Sequence, residues 1–122
     1  MKIIERYKQA YSAVINGPQR KETVVEILTK FGVSNSSYQE WITQTGGGPI
    51  GADWFDGITE LPLSQKKLKE EEWTIEGFVI GWDGSGNPIV LQDDGSVKVE
   101  DHNFDGIHTL ASSFDELLEQ NT

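Results

Sequence analysis

His102 and His108 are the only histidines in the chain, and with Asp101 and Asp105 they are the residues best suited to hold a transition metal through two imidazoles and a carboxylate. The spacing HNFDGIH fits neither one face of a helix nor alternate positions of a strand, and with no cysteine a site would depend on distant carboxylates. An Asp-His pair in a loop reads more simply as a hydrogen-bonded turn. Asp83, Ser85, Asn87 and Asp94 fall on the ligand positions of a calcium-loop template. Pro88 stands where that template needs glycine, Asp94 is shorter than its closing glutamate, and strand-like sequence flanks the loop. No metal is expected. Ser112 or Ser113 with His108 and an aspartate would name a catalytic triad, but a serine ahead of a helix is a cap, and no nucleophile elbow is present. The pairs Asp93-Asp94 and Asp115-Glu116 lie in turn or exposed helix sequence, with no apolar pocket evident to raise one carboxyl. Gly46 to Gly48 lack the Lys-Ser/Thr that follows a phosphate loop. The residues therefore predict neither catalysis nor a bound cofactor.

The elements that would position these groups follow from periodicity. Ile3, Ile4, Tyr7, Ala10, Tyr11, Val14 and Ile15 recur at helical spacing until Asn16-Gly17-Pro18 stops them. Val24, Val25, Ile27, Leu28 and Phe31 give a second stripe, closed by Gly32 as a left-handed cap. A third helix starts at Ser37 with Glu40, or at Ser36 with Gln39, both of which fit a capping box; it turns Tyr38, Trp41 and Ile42 inward and ends at Gly46 to Gly48. Residues 49–72 show no clear pattern, except that Gln65 to Glu72 suits a turn or two of solvated helix. Strands are expected near 74–82, 88–92 and 96–100, with a further one near 107–110, joined by the turns DGSGNP and DDGS. Ser113 with Glu116 opens a closing helix whose apolar side is Phe114, Leu117 and Leu118. The whole reads as one α+β domain over residues 1–122, with N-terminal helices packed on an antiparallel β-meander and a short C-terminal helix.

The segment GFVIGWDGSGNPIVLQDDGSVKVEDH, followed by LASSFDELL, resembles the conserved half of the SUKH superfamily, the Smi/Knr-type domain of bacterial immunity proteins and fungal cell-wall regulators. SSYQEWITQTGGG at Ser36 to Gly48 resembles that family's other landmark. Two positions depart from its pattern: Glu100 stands where an aromatic often precedes the Asp-His pair, and Gln92 where an acidic residue often closes the central strand. The resemblance implies a SUKH-like α+β domain, a structural role for His102, and an intracellular immunity protein that binds and neutralises a cognate toxin domain. The alternative it carries is a regulatory or scaffold interaction domain of the cell-wall-regulator type.

Charge narrows the partner. The net charge is -10, and it is uneven: residues 1–30 hold six basic and three acidic groups, the rest four basic and 17 acidic. Such a field repels nucleic-acid phosphates and anionic membranes and attracts a basic protein, although acidity also serves solubility. No apolar run approaches the roughly 20 residues needed to span a bilayer. With no cysteine and no signal peptide, the cytoplasm is the expected compartment. Candidate partner contacts are the turn and loop carboxylates Asp83, Asp93, Asp94, Glu100, Asp101 and Asp105. Trp54, Phe55, Trp82 and Phe104 stand at loop or strand ends, where exposed aromatics anchor interfaces; of these, Trp54 and Phe55 are the leading candidates. A domain of this size nonetheless buries most of its large side chains.

Overall fold

The computed structural model describes residues 2–103 and 106–122. Among them the chain forms five helices and one six-stranded antiparallel sheet. Helices α1 (Ile3–Tyr11), α2 (Lys21–Lys30) and α3 (Ser36–Thr45) come first, followed by strands β1 (Gly48–Ile50) and β2 (Asp53–Phe55). Helix α4 (Leu61–Glu70) precedes β3 (Phe78–Trp82), β4 (Pro88–Leu91), β5 (Val97–Asp101) and β6 (Gly106–Ala111), and α5 (Phe114–Gln120) ends the chain. The strands lie in the order in which they are made, a continuous meander two strands wider than the sequence predicts. Among the described residues no helix is long and apolar enough to cross a membrane.

One face of the sheet lies under helices. Phe78, Ile80, Ile89, Leu91, Val97 and Val99 meet Tyr7, Val24, Leu28, Tyr38, Trp41, Phe114 and Leu118 in the main core. Trp41 is its hub, edge-on to Tyr7, Phe55 and Phe114 at centroid separations of 5.6, 6.3 and 5.4 Å. Among the described residues the second face is covered by α4 and the strap that follows it, where Ile75, Val79 and Val90 form a small cluster with Leu68, Trp73 and Trp82.

Several ends differ from the expectation. Helix α1 stops at Tyr11 rather than Ile15, because the chain turns away to hydrogen-bond the end of α3, Gly17 N–H donating to Thr45 O at 2.7 Å. Neither serine caps α3; Asn35 does, accepting from Tyr38 N–H at 2.9 Å. Ser113 caps α5 as expected, but Glu116 accepts from the Ser112 hydroxyl instead of closing the box. Strand β3 begins at Phe78 rather than 74. A bulge at Ile80 then shifts its register, so that Val79 opposes Val90 and Gly81 opposes Ile89. The extra residue reverses the alternation beyond it and sends Trp82 to the same face as Val79.

Residues 49–72 resolve into β1, β2 and α4. The first two have three residues each, too short for a period to register. Helix α4 starts with Pro62 in its first turn, but the side chains it buries are Leu61, Ser64 and Gln65, a stripe that is largely polar. Gln65 is buried because β3 outruns β2. Its amide donates to Val79 O at 2.7 Å and accepts from Val79 N–H at 2.8 Å, pairing the strand edge that β2 leaves open.

Candidate functional site

The nominated carboxylates divide between the two ends of the sheet. At the end reached by the β3–β4 turn, Asp83 accepts from the backbone N–H groups of Ser85 and Asn87 at 2.9 Å each, and from the Asn87 amide at 3.0 Å. Partial burial pushes its carboxyl up, but the Asn87 and Ser85 bonds, helped by nearby His102, outweigh this and hold it below the ordinary value. Asn87 is buried and completes the link: its side-chain oxygen accepts from His102 N–H at 3.1 Å and meets the imidazole Nδ1. His102 thus ties the end of β5 to the β3–β4 turn. Of the calcium-like positions, Asp83 and Asn87 have their side-chain oxygens engaged with these donors, and Asp94 lies in the β4–β5 turn at the other end of the sheet. Asp53 lies beside the same turn, its carboxyl raised by burial and by Asp83, with a backbone bond from Gly84 opposing both. Asp101 accepts from Asn103 N–H at 2.8 Å. Asp105 and Phe104 lie outside the described residues.

Asp93 and Asp94 occupy the opposite end, in the β4–β5 turn. Asp94 accepts from the Ser96 hydroxyl at 2.6 Å and its N–H at 2.9 Å, bonds that hold its carboxyl low. Both aspartates border a cleft of about 630 Å³ between this turn, the Phe31–Ser37 connection and the α4 residues Gln65, Leu68 and Lys69.

Glu100 belongs to neither turn. Val99 faces the main core, so alternation puts Glu100 on the second sheet face. There one carboxylate oxygen accepts from Thr74 N–H at 2.8 Å, the Thr74 hydroxyl at 3.0 Å and Ile75 N–H at 2.6 Å. It is the clasp of the strap joining α4 to β3.

Phe55 is corrected. Trp54 and Phe55 are successive residues of β2 and must point to opposite faces: Trp54 is 45% exposed, while Phe55 is 1% exposed and packs edge-on against Trp41. Phe55 is a core residue and Trp54 the surface one. Trp54 stands directly opposite Trp82 in the β2–β3 pairing. Trp82 is half-buried, donates from its indole N–H to Ser64 Oγ at 2.9 Å, and carries the Lys67 ammonium 4.3 Å above its ring centre. Trp73, 6.4 Å from Trp82 and 5.9 Å from the His102 ring, extends the row, its N–H bonded to Glu71 at 2.7 Å. Three of the four tryptophans therefore share the second face, a grouping that separate loops and strand ends do not reveal in sequence.

Beneath this row lies a polar chain that the sequence pattern missed. Trp82 donates to Ser64, and the Ser64 hydroxyl donates to Asp56, which is 3% exposed. Burial pushes the Asp56 carboxyl up to about 6; the Ser64 bond and Lys67 oppose this, and Glu60 adds to it. The Tyr38 hydroxyl and the Trp41 indole N–H are buried with no hydrogen-bond partner among the described residues. Ser112 and Ser113 serve the start of α5, and His108 is exposed on β6. Among the described residues, no three His, Cys, Asp or Glu side chains converge on a point that would hold a metal ion.

Fold and site together define an α+β domain with one sheet face sealed by helices and a second face carrying an aromatic row. The chain matches no protein-family model, and no curated protein is significantly similar to it. The likeness to the SUKH superfamily rests on the motifs themselves.

Proposed function

We propose that this chain is a SUKH-type immunity protein of the cytoplasm, which neutralises a cognate basic toxin domain, such as a nuclease, by binding it rather than by chemistry on it. The observation that supports this reading is the separation of charge. Residues 1–30, with six basic and three acidic groups, place α1 and α2 on one face of the sheet, whereas 17 of the 20 carboxylates belong to residues 31–122; four of these, Glu40, Asp115, Glu116 and Glu119, lie on α3 and α5 over that same face, and most of the others belong to the sheet, its turns and the second-face cover. A field so divided draws in a basic protein in one orientation and repels nucleic acid and anionic lipid. Asp83 and Asp94, whose carboxyls are held low by bonds within their own turns, still contribute to that field.

The test is co-expression with the products of neighbouring genes, scoring protection of the cell together with direct binding. Protection should accompany a complex whose association rate falls as salt rises. A chain that protects against none of these products and binds none of them would overturn the reading.

A further inference from the structure

We propose that the open part of the second sheet face, the row Trp54–Trp82–Trp73 with Glu71, Glu72 and Glu100 at its Trp73 end, is the docking surface for an arginine- or lysine-rich segment of the partner. This rests on the reading of the chain as a binding protein for a basic partner, and assigns that partner a place.

Three observations converge on this face. The first is the row itself. Pairing sets Pro49, Trp54, Trp82 and Pro88 side by side across β1 to β4, and Ile107, opposite Glu100, continues the same face on β6. Its most open large side chains are Trp54 on β2 at 45% and Ile107 on β6 at 46% exposure. They are four strand spacings apart, roughly 19 Å, enough for an extended segment of five or six residues. The second is charge complementarity. Glu71, Glu72, Trp73, Glu100 and His102 line a shallow groove of about 320 Å³, in which Glu72 is exposed and Glu100 holds Thr74 and Ile75 with a single oxygen. The third is an internal precedent. Lys67 already lies over the Trp82 ring at 4.3 Å, so the face holds a cation on an indole with the chain's own lysine, and the adjoining Trp54 offers the same chemistry to solvent. Trp supplies rigid contact area and a cation-attracting face, whereas the carboxylates fix the sign of what binds.

The opposite end of the sheet gives the control. Asp93 and Asp94 carry the same formal charge as the Glu71-Glu72 pair, with Lys69 lining the same cleft and no tryptophan beside them. If charge alone governed binding, neutralising either pair would weaken it alike.

The probe is a hexa-arginine peptide titrated into the intact chain at low salt, with hexa-glutamate as the negative control, read from the four indole N–H signals by NMR. The signals of Trp54, Trp73 and Trp82 should move and that of Trp41 should not. Trp54→Ala should weaken binding about fivefold or more and Trp54→Phe distinctly less, since a ring is retained. Glu71→Gln/Glu72→Gln should weaken it by a similar factor, and Asp93→Asn/Asp94→Asn by less than about twofold. All these positions are exposed or in surface turns, and an unchanged Trp41 signal certifies the fold. Movement centred on Asp93 to Gly95, equal losses from the two double substitutions, or no binding at all would overturn the proposal.

The protection assay separates this inference from the reading it rests on. Full protection and unchanged toxin affinity in Trp54→Ala/Glu72→Gln would overturn the docking surface while the immunity reading stood. Hexa-arginine binding at the row by a chain that protects against no toxin would sustain the surface and sink the immunity reading.

Discussion

The two faces of one sheet solve the same problem differently. On the helix-covered face, four helices bury the side chains of β3, β4 and β5 in a single apolar core with Trp41 at its hub. On the second face, one helix and a strap cover the middle, held by polar pairings that include Gln65 on Val79, Glu100 on Thr74 and Ile75, and Trp82 on Ser64. The first arrangement derives its stability from area removed from water and tolerates little change. The second leaves a tryptophan in solvent and a carboxyl in the interior, features that cost stability unless something else uses them. This contrast sets apart the face that carries the main apolar core from the face that leaves an indole in solvent.

The comparison can be broken first at Trp41. Trp41→Ala removes a fully buried hub and should cost roughly 3 to 5 kcal/mol, a large part of the stability of a domain this size. A denaturant midpoint near that of the wild type would show that the helix-covered face is not the source of stability.

Asp56 sharpens the contrast from the other side. Its folded carboxyl titrates at about 6 against an unfolded value of 3.8, so the folded state binds the extra proton between the two. Its contribution is most favourable below about pH 4, declines as pH rises to about 6, and is then a constant penalty of roughly 3 kcal/mol. Asp56→Asn should therefore gain on the wild type between pH 4 and 6 and hold that gain above. Parallel stability curves across this range would mean that the carboxyl is not strained by burial.

Glu100 tests the strap. Glu100→Ala frees the N–H groups of Thr74 and Ile75 and should cost roughly 1 to 2 kcal/mol, with faster amide exchange at those two residues than elsewhere in the sheet. Exchange unchanged at both would mean that the strap is held by Trp73 and Ile75 packing alone.

The smallest effect belongs to Trp54. Because this side chain is half in solvent, Trp54→Ala should stay within about 0.5 kcal/mol of the wild type. A loss comparable to that at Trp41 would erase the distinction between the faces.

The parts legible in the sequence were those with a strong local signal. Tyr38, Trp41 and Ile42 fall on one helix face at a spacing that admits little else, and Trp41 is indeed fully buried. The turns DGSGNP and DDGS fixed the hairpins between β3, β4 and β5, since Gly86 and Gly95 adopt left-handed backbone that glycine enters at little cost. The region 49–72 stayed opaque because its information is not periodic. Ser64 and Gln65 are buried for hydrogen bonds to distant residues, and polar residues in a Lys-rich helix look solvated until those partners are known. Carboxylates chosen as contacts because they stand in turns proved to organise those turns as well, Asp83 and Asp94 most clearly.

What the sequence determined by itself was therefore local: which segments are helix or strand, where the chain turns, and the sign and division of its charge. Each of these depends on residues within a few positions of one another. Which side of the sheet a residue faces was decided by tertiary structure. One additional residue at Ile80 reverses every side chain after it in β3, and through cross-strand pairing it brings Trp82 beside Trp54, with Trp73 over the same face. The bulge is held by pairing with strands on both sides, Ile80 O accepting from Asp56 N–H at 2.8 Å while its neighbours pair with β4. Alternation can be read from a strand alone, but the register that gives it a direction is a property of the sheet.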